Sequence, residues 1–262
     1  MQAGQFAYND GEKTKRETMP VDILLTVIVT SIIQSVFGVG VLLFGTPLLL
    51  LGYDFIDALI VLLPISIAIN ALQILKHHQY IDFAFYRNVL IYTIPFVVLF
   101  LFIVTTANIN IGFLVGLFLV FVALKNVSSA IEAALDALLK HERIYLAVMG
   151  IVHGLTNLGG SLLTAIVHGK RYRKNVTRAT VAICYATFAL FQIITLTMLQ
   201  QGYVVSFADN IAFMQIGMVV FLLTEELVYT EIANEKYSKI FTAFLLVSGL
   251  LLITKSFYTF RT

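Results

Sequence analysis

Long apolar runs, separated by short polar links, make up most of the chain. They cover residues 21–52, 55–75, 89–105, 109–124, 144–167, 176–199, 207–223 and 240–257. A helix needs about 20 mostly apolar residues to cross roughly 30 Å of hydrocarbon, and several of these runs reach that length. The pattern predicts an all-α polytopic membrane protein.

The composition supports this class. Of the 262 residues, 59% are hydrophobic and only 12% are charged, and the mean hydropathy is +0.91. A soluble chain of this length could not bury so much apolar surface in one or two cores. The single cysteine, Cys184, excludes an internal disulfide and has no metal-binding spacing. We expect the lipid bilayer as a partner, and neither a cofactor, a metal nor a nucleic acid.

Glycine, proline and polar residues interrupt the first apolar run between Ser31 and Pro47, around Gly38 and Gly40. Both special residue types disfavour a continuous helix, because glycine loses the most backbone freedom and proline removes an N–H donor. A related interruption recurs near Gly159, within residues 144–167. We predict that each of these two runs is a broken membrane helix.

The two halves of the chain resemble each other. Placing Gly38-Val39-Gly40 over Asn157-Leu158-Gly159 also puts Pro47 over Ile166 and Ala58 near Ala179. In each half a helix with a central amide follows the break, with Asn70 in the first half and Gln192 in the second. Weak internal symmetry with interrupted segments at matching positions is typical of transporters whose site lies between repeats.

The expected domain organisation follows from this duplication. Residues 1–20 predict a polar N-terminal tail, without the apolar core of a signal peptide. Residues 21–125 form a first transmembrane repeat, 126–142 an amphipathic cytoplasmic connector, and 143–262 a second transmembrane repeat. Each repeat is expected to hold one broken, glycine-rich segment and about three transmembrane helices.

Loop charges predict the orientation, because lysine and arginine prefer cytoplasmic loops. The link over residues 168–178 is basic and contains no acid; its charges are Lys170, Arg171, Arg173, Lys174 and Arg178. Lys140 and Arg143 precede the second broken segment, so both ends of that segment are expected in the cytoplasm. The second segment is therefore predicted to be a re-entrant hairpin. The same basic link can also concentrate anions at a cytoplasmic mouth.

Two placements of the first broken segment remain open. Symmetry favours a hairpin that enters from the outside, which would make the two halves an inverted repeat. Charge counting prefers a segment that crosses fully, with Lys13, Lys15 and Arg16 inside. We favour the inverted repeat, and the side on which the N-terminus lies decides between the two.

The apolar runs contain neutral polar residues but no charge deep within them. Asp22, Lys125, Arg143 and Lys255 all lie at span ends, so a carboxylate relay has no obvious carrier. A helix that starts inside the membrane presents unsatisfied N–H groups and a partial positive charge. Two such N-termini facing one cavity would form a site for a small anion.

The expected substrate site lies between the two breaks. Its backbone donors are Gly38, Gly40, Gly159, Gly160 and Ser161, and its side-chain contacts are Ser35, Asn70, Thr156, Asn157 and Gln192. His153 is the candidate for proton coupling. A simpler interpretation stands beside each of these: the glycines can serve helix packing, the amides can bond between helices, and His153 can be a packed neutral ring. His77 and His78 lack partners for a metal site.

The spaced residues resemble a known family. The order Gly38-x-Gly40-x6-Pro47 followed by Ala58, and its echo Asn157-Leu158-Gly159-Gly160-Ser161 with Arg178-Ala179-Thr180, is similar to the TauE/SafE sulfite exporter family, also called the toluene-sulfonate uptake permease family. The resemblance extends over residues 21–258. It implies a secondary transporter of sulfite, thiosulfate or an organosulfonate in the inner membrane, coupled to the proton gradient. The reduced glycine pattern, and Ile166 in place of a second proline, leave the choice of anion open.

Other functions remain as alternatives. One is an anion channel, and another is a carrier for a different small organic or inorganic anion. An intramembrane enzyme would need a nucleophile and a base, for which His153 near Ser161 is the one candidate pair; no third group supports it, and we do not expect an enzyme. The sequence determines neither the direction of transport nor the oligomeric state, so a homo-oligomer stays open.

Overall fold

A computed structural model describes residues 19–107, 109–125, 128, 137–202, 204–227 and 234–259. The regular elements within these residues are helices, numbered in chain order: α1 (Val21–Phe37), α2 (Val41–Leu49), α3 (Phe55–His77), α4 (Phe83–Tyr92), α5 (Ile94–Thr106), α6 (Ile111–Lys125), α7 (Glu142–Thr156), α8 (Gly160–Gly169), α9 (Lys174–Met198), α10 (Phe207–Leu227) and α11 (Asn234–Thr259). A short 3₁₀ turn, His78–Tyr80, follows α3. Nearly all of the predicted N-terminal tail and most of the predicted connector 126–142 lie outside the described residues.

Several helices are suited to the interior of a membrane. Within the described residues, four stretches are long and apolar enough to cross it: Phe55–Tyr80, Phe83–Thr106, Lys174–Met198 and Phe207–Glu225. Val21–Phe37, Ile111–Leu124, Gly160–Gly169 and Thr242–Tyr258 are shorter apolar helices. Large apolar side chains such as Leu99 and Val247 point outward, as lipid-facing residues do. The predicted class, an all-helical polytopic membrane protein, is confirmed.

The first broken segment folds as a helical hairpin. α1 ends at Gly38, whose backbone is left-handed (φ 75°) and whose N–H bonds to Gln34 O. Glycine commonly ends helices in this way because it has no side chain to clash. α2 then packs back against α1. Just beyond α2, the Tyr53 hydroxyl donates to Asp22 Oδ2 in the first turn of α1 at 2.7 Å, so the two ends of the hairpin meet.

The second broken segment has the same form. α7 ends at Asn157, which is also left-handed (φ 61°) and whose N–H bonds to His153 O at 2.8 Å. Asparagine is one of the few residues other than glycine that adopts this conformation readily. Lys170 Nζ lies 2.7 Å from Glu142 Oε2, which joins the region just after α8 to the start of α7. Each helix therefore breaks where the sequence predicts, and each broken run is a closed hairpin.

The longer helices pack around the hairpins in matching pairs. α3 packs against α9, and α6 packs against α11. α1 lies against α10, as α7 lies against α5; α10 also contacts α3, and α9 also contacts α5. Leu59, Leu62, Leu63, Phe188 and Phe213 are fully buried and form part of the apolar interior between these helices.

The link between α3 and α4 is shorter than the sequence predicts. The apolar runs 55–75 and 89–105 predict a polar link between them, but α4 already begins at Phe83. Asp82 caps this helix, because its Oδ1 accepts the N–H of Phe85 at 3.0 Å. α4 and α5 meet at Thr93, where Pro95 at the start of α5 disfavours a continuous helix.

The bundle has two chemically different ends. At the basic end, defined by Lys76, Lys170 and Arg178, α3 finishes and α9 begins. At the vestibule end, defined by Tyr53 and Lys255, an open cavity lies among the helix termini. α3 runs from the vestibule end to the basic end. The first hairpin starts at the vestibule end, because Asp22 contacts Tyr53 there, and the second starts at the basic end, because Glu142 contacts Lys170.

Candidate functional site at the two helix breaks

A cluster of buried amides lies beside the first break. Gln34 Nε2 donates to Asn70 Oδ1 at 3.2 Å, to Gln73 Oε1 at 3.3 Å and to Gly38 O at 3.2 Å. Gln34 Oε1 accepts the N–H of Val41, the first residue of α2, at 3.1 Å. One side chain thus stabilises both sides of the break. Gln73 Nε2 stays buried without a hydrogen-bond partner in the described part of the chain.

The start of α2 presents free backbone donors. The N–H of Val41 is bonded to Gln34 and that of Phe44 to Gly40 O. The N–H groups of Leu42 and Leu43 have no acceptor among the described residues. The aligned peptide dipoles of a helix place a partial positive charge at this end. Free N–H groups and positive potential together suit an anion.

His153 and Gln192 form the corresponding pair at the second break. His153 Nε2 lies 3.3 Å from Gln192 Oε1, and both side chains are fully buried. His153 holds the position in α7 that Gln34 holds in α1, since the main-chain oxygen of each accepts the N–H of the left-handed residue. His153 Nδ1 and Gln192 Nε2 have no hydrogen-bond partner within the described residues.

More of the backbone N–H groups are hydrogen-bonded at the start of α8 than at the start of α2. The N–H groups of Leu162 and Leu163 both bond to Gly159 O, at 3.0 Å. The predicted contact residues Thr156 and Ser161 bond to the backbone of their own hairpin. The second break therefore offers an anion fewer free donors than the first.

Asn157 links the two hairpins. Its Nδ2 donates to Oγ1 of Thr46, on α2, at 2.8 Å, and both residues are buried. Asn157 Oδ1 has no partner among the described residues. The turn of the second hairpin thus contacts the return helix of the first.

Three of the four predicted glycines serve close packing. A Cβ at Gly40, Gly159 or Gly160 would lie 2.6, 2.5 or 1.5 Å from a neighbouring atom. For Gly160 this neighbour is the hydroxyl of Tyr185, which lies against the glycine backbone. Close helix packing, the simpler interpretation, fits these three positions, and their role as backbone donors stays a prediction.

Gly38 differs, because a cation lies against it. A Cβ there would be 3.5 Å from Arg178 Cγ, an ordinary van der Waals contact. Arg178 Nη2 donates to Ser35 O at 2.7 Å, and Nη2 lies 3.7 Å from Glu225 Oε1. Ser35 also accepts, through its hydroxyl, a hydrogen bond from Thr224 at 2.8 Å. Ser35 therefore joins α1 to α9 and α10.

Arg178 and Glu225 correct one expectation from the sequence. The interior was expected to lack charge, yet each of these residues is only 6% exposed. Both lie near helix ends in the sequence, but the folded bundle packs those ends around the first break. Glu225 Oε2 also accepts from Lys76 Nζ at 3.1 Å.

Asp82, in the link before α4, holds the basic link over residues 168–178 in place. The Tyr172 hydroxyl donates to Asp82 Oδ2, and the N–H of Asp82 donates to Thr180 Oγ1 at 3.0 Å. Burial alone would raise the pKa of Asp82, but the hydrogen bonds from Tyr172 and the backbone, with the charge of Lys170, outweigh it and lower the pKa. Burial and the contact with Asp82 raise the pKa of Tyr172.

An open cavity lies at the vestibule end and not between the two breaks. It has a volume of about 530 Å³, and its walls include Tyr53, Asp54, Asn110, Lys255 and Ser256. Lys255 Nζ donates to Leu50 O, next to the end of α2, at 2.9 Å. None of the sequence-predicted site residues lines this cavity.

Metal binding has little support in the described residues, where no group of three or more His, Cys, Asp and Glu side chains could hold an ion. His78 Nδ1 lies 3.3 Å from Leu75 O, and the His77 ring is tilted against the Tyr80 ring, with 6.3 Å between the ring centroids. Both rings contact their own helix end.

The structure brings together several residues that the sequence did not assign to the site. Gln34 contacts Asn70 and Thr46 contacts Asn157, both predicted site residues, and Gln73 joins the cluster through Gln34. The internal repeat contained a signal for Gln34, because it aligns with His153. Arg178 is part of the second repeat's motif, but its position in a basic link concealed its burial.

Comparison with protein families identifies the chain. The family model described as sulfite exporter TauE/SafE matches residues 23–252. Comparisons with curated proteins and with solved structures each gave no match. The matched range contains both helix breaks and the four membrane-length helical stretches. These findings together make the protein an integral, multi-pass membrane protein, and the chain belongs to the TauE/SafE sulfite exporter family.

Proposed function

We propose that the protein is a secondary transporter that moves small sulfur-containing anions across the cell inner membrane. Sulfite, thiosulfate and small organosulfonates are the candidate substrates. The family match over residues 23–252 carries this proposal, because TauE/SafE is a family of membrane sulfite exporters and not of enzymes. The direction of transport follows the family in this proposal, and the coupling ion is the proton.

The first break is the proposed anion site. Leu42 and Leu43 supply N–H groups at the start of α2 that have no acceptor in the described part of the chain, and Gln73 Nε2 supplies a buried amide donor. Oxyanions of sulfur are compact and rich in acceptor oxygens, so several converging donors suit them. This proposal narrows the expectation from the sequence, in which the anion site lies between the two breaks and uses residues of both.

An inverted repeat accounts for the arrangement of the helices. α1 and α7 each end in a left-handed residue, and each hairpin is closed by a polar contact between its ends. The contact of α1 with α10 is matched by that of α7 with α5. In this proposal the first hairpin re-enters from outside, the second from the cytoplasm, and the basic end faces the cytoplasm.

His153 remains the proposed proton-coupling residue. It is fully buried, bonds to Gln192 through Nε2, and has no partner for Nδ1 among the described residues. An imidazole is suited to exchanging a proton during a transport cycle. Its place in the last turn of α7, four residues before Asn157, would connect its protonation to the Asn157–Thr46 contact.

Flux measurements test the function. Proteoliposomes containing the purified protein are loaded with labelled sulfite, and efflux is followed with and without an imposed proton gradient. We expect saturable efflux that the gradient accelerates, and competition by thiosulfate. Flux that rises linearly with concentration and ignores the gradient would indicate an anion channel. Absence of flux for sulfite, thiosulfate and a small sulfonate would overturn the proposal.

A further inference from the structure

We infer that Arg178 binds the transported anion, and that the carboxylate of Glu225 takes the place of the anion beside Arg178 when no substrate is bound. This inference rests on the proposed function and adds a residue pair to it. It concerns the first break, where Arg178 packs on Gly38.

The geometry of Arg178 supports a role in binding, in addition to its part in the basic link that predicts the orientation in the membrane. Its side chain is nine-tenths buried, and its Nη2 donates to Ser35 O in the last turn of α1. The same side chain contacts Gly38, whose carbonyl accepts from Gln34, so the cation lies beside the amide cluster. A planar guanidinium offers paired donors that fit the oxygens of an oxyanion.

The contact of Arg178 with Glu225 is longer than its contact with Ser35. Its 3.7 Å separation is too long for a direct hydrogen bond, whereas the Ser35 contact is 2.7 Å. The carboxylate therefore balances the charge of Arg178 without a close hydrogen-bonded pair. Glu225 has a second cation available, since its Oε2 lies 3.1 Å from Lys76 Nζ. It can release Arg178 to a substrate and still remain paired.

At the second break, the described atoms nearest to a Cβ added at Gly159 or Gly160 belong to His153, Met149 and Tyr185, and none of them is a cationic group equivalent to Arg178. The first turn of α8 bonds to Gly159. A charged partner for the substrate thus lies at the first break among the described residues. Because Arg178 lies at the basic end, an anion arriving from the cytoplasm would meet it before the amide cluster.

The test uses two substitutions that remove the same ion pair from opposite sides. Sulfite efflux is measured with Glu225→Gln and Arg178→Gln in proteoliposomes. We expect Glu225→Gln to lower KM several-fold, because the competing carboxylate is gone. We expect Arg178→Gln to raise KM by about tenfold or more, since a charged hydrogen-bonding partner is lost. Arg178→Lys should be intermediate, because the charge remains but the paired donors do not.

Two further variants separate binding from folding. Arg178→Gln alone leaves Glu225 with Lys76 only, which can disturb the fold, so the double variant Arg178→Gln/Glu225→Gln removes both charges together. It should melt within a few degrees of wild type and still transport with the high KM of Arg178→Gln. The matched control is Lys76→Gln, which removes the other partner of Glu225 at a half-exposed position. Its KM should equal or exceed that of wild type.

A purely structural pair gives a different result. If Glu225→Gln and Arg178→Gln both raise KM, or if the double variant transports with the wild-type KM, Arg178 does not bind the anion and the proposed function is unaffected. If wild type moves none of the anions, the proposed function fails, and this inference fails with it.

Discussion

Asn157 Nδ2 donates to Thr46 Oγ1 at 2.8 Å, and this hydrogen bond joins the turn of one hairpin to the return helix of the other. The two residues are separated by more than a hundred positions and come from different halves of the chain. Both are buried. The contact makes Asn157 a structural connection between the two breaks, in addition to its left-handed backbone.

Substitutions at Asn157 can separate these two roles. Asn157→Ala loses the hydrogen bond, worth about 1 kcal/mol, and puts alanine in a left-handed conformation, which costs a further 1–2 kcal/mol or so. Asn157→Gly loses only the hydrogen bond, because glycine accepts that conformation. We expect the unfolding free energy in detergent to fall by roughly 2–3 kcal/mol for Asn157→Ala and by about 1 kcal/mol for Asn157→Gly. Equal losses would exclude a backbone contribution.

Gly40 is expected to tolerate no side chain. A Cβ there would lie 2.6 Å from Gln34 N and 2.7 Å from Thr30 O, and both are backbone atoms that cannot move aside cheaply. We expect Gly40→Ala to lower the melting temperature clearly and to reduce folded yield. The matched control is Gly52→Ala, where a Cβ would meet nothing within 4 Å and the stability should stay unchanged. A stable Gly40→Ala protein would contradict the packing of α2 against α1.

This steric result also changes how a loss of transport at Gly40 is interpreted. A flux defect in a Gly40 variant reports hairpin packing, so it is weak evidence for substrate contact. Arg178, Glu225 and Gln73 are better probes, because their side chains can change without a clash in the turn.

The sequence predicted the breaks because their causes are local. Gly38 takes a left-handed conformation, and Asn157 does the same at the matching position, so the residue types themselves mark the ends of α1 and α7. The burial of Arg178 is not local. The burial of Arg178 depends on the packing of α9 and α10 against the first break. A basic residue within a basic link does not indicate such packing in the sequence. Likewise, the packing of Tyr185 onto Gly160 depends on the approach of α9, which the spacing of glycines cannot specify.

The Tyr172–Asp82 contact predicts a pH dependence of stability. The pKa of Asp82 is lowered in the folded protein from 3.8, mainly because hydrogen bonds outweigh the effect of burial. A group with a lowered folded pKa stabilises the protein above its unfolded pKa, and this stabilisation is lost as the pH falls through the folded pKa. We expect wild type to be more stable than Asp82→Asn at pH 6, and the difference to shrink as the pH falls below about 4.

The control for this prediction is Tyr172→Phe, which removes one hydrogen bond but keeps the carboxylate. In Tyr172→Phe the pKa of Asp82 should lie closer to the ordinary value. The difference in stability between Tyr172→Phe and Asp82→Asn should therefore be smaller, and it should disappear at a higher pH. Thermal unfolding in detergent across the pH range measures all three proteins. A constant difference between wild type and Asp82→Asn would contradict the assignment.

Cysteine accessibility tests the opposite entry of the two hairpins. Cys184 is the only cysteine and is buried, so Cys184→Ala provides a background without reactive thiols. Single cysteines are then added by Val21→Cys, Gly52→Cys and Gly169→Cys; Val21 is 65% exposed, and a Cβ at either glycine meets nothing within 4 Å. A membrane-impermeant maleimide is applied to intact and to permeabilised cells.

The hydrogen bond between Asp22 and Tyr53 brings the two ends of the first hairpin together, and the proposed re-entrant arrangement places both ends on one side of the membrane. We therefore expect Val21→Cys and Gly52→Cys to react in intact cells, and Gly169→Cys to react only after permeabilisation. If Val21→Cys reacts only after permeabilisation while Gly52→Cys reacts in intact cells, the first segment crosses the membrane. If Gly52→Cys and Gly169→Cys react on the same side, the two halves are not inverted, and the first break cannot face the cytoplasm in the way that the Arg178 site requires.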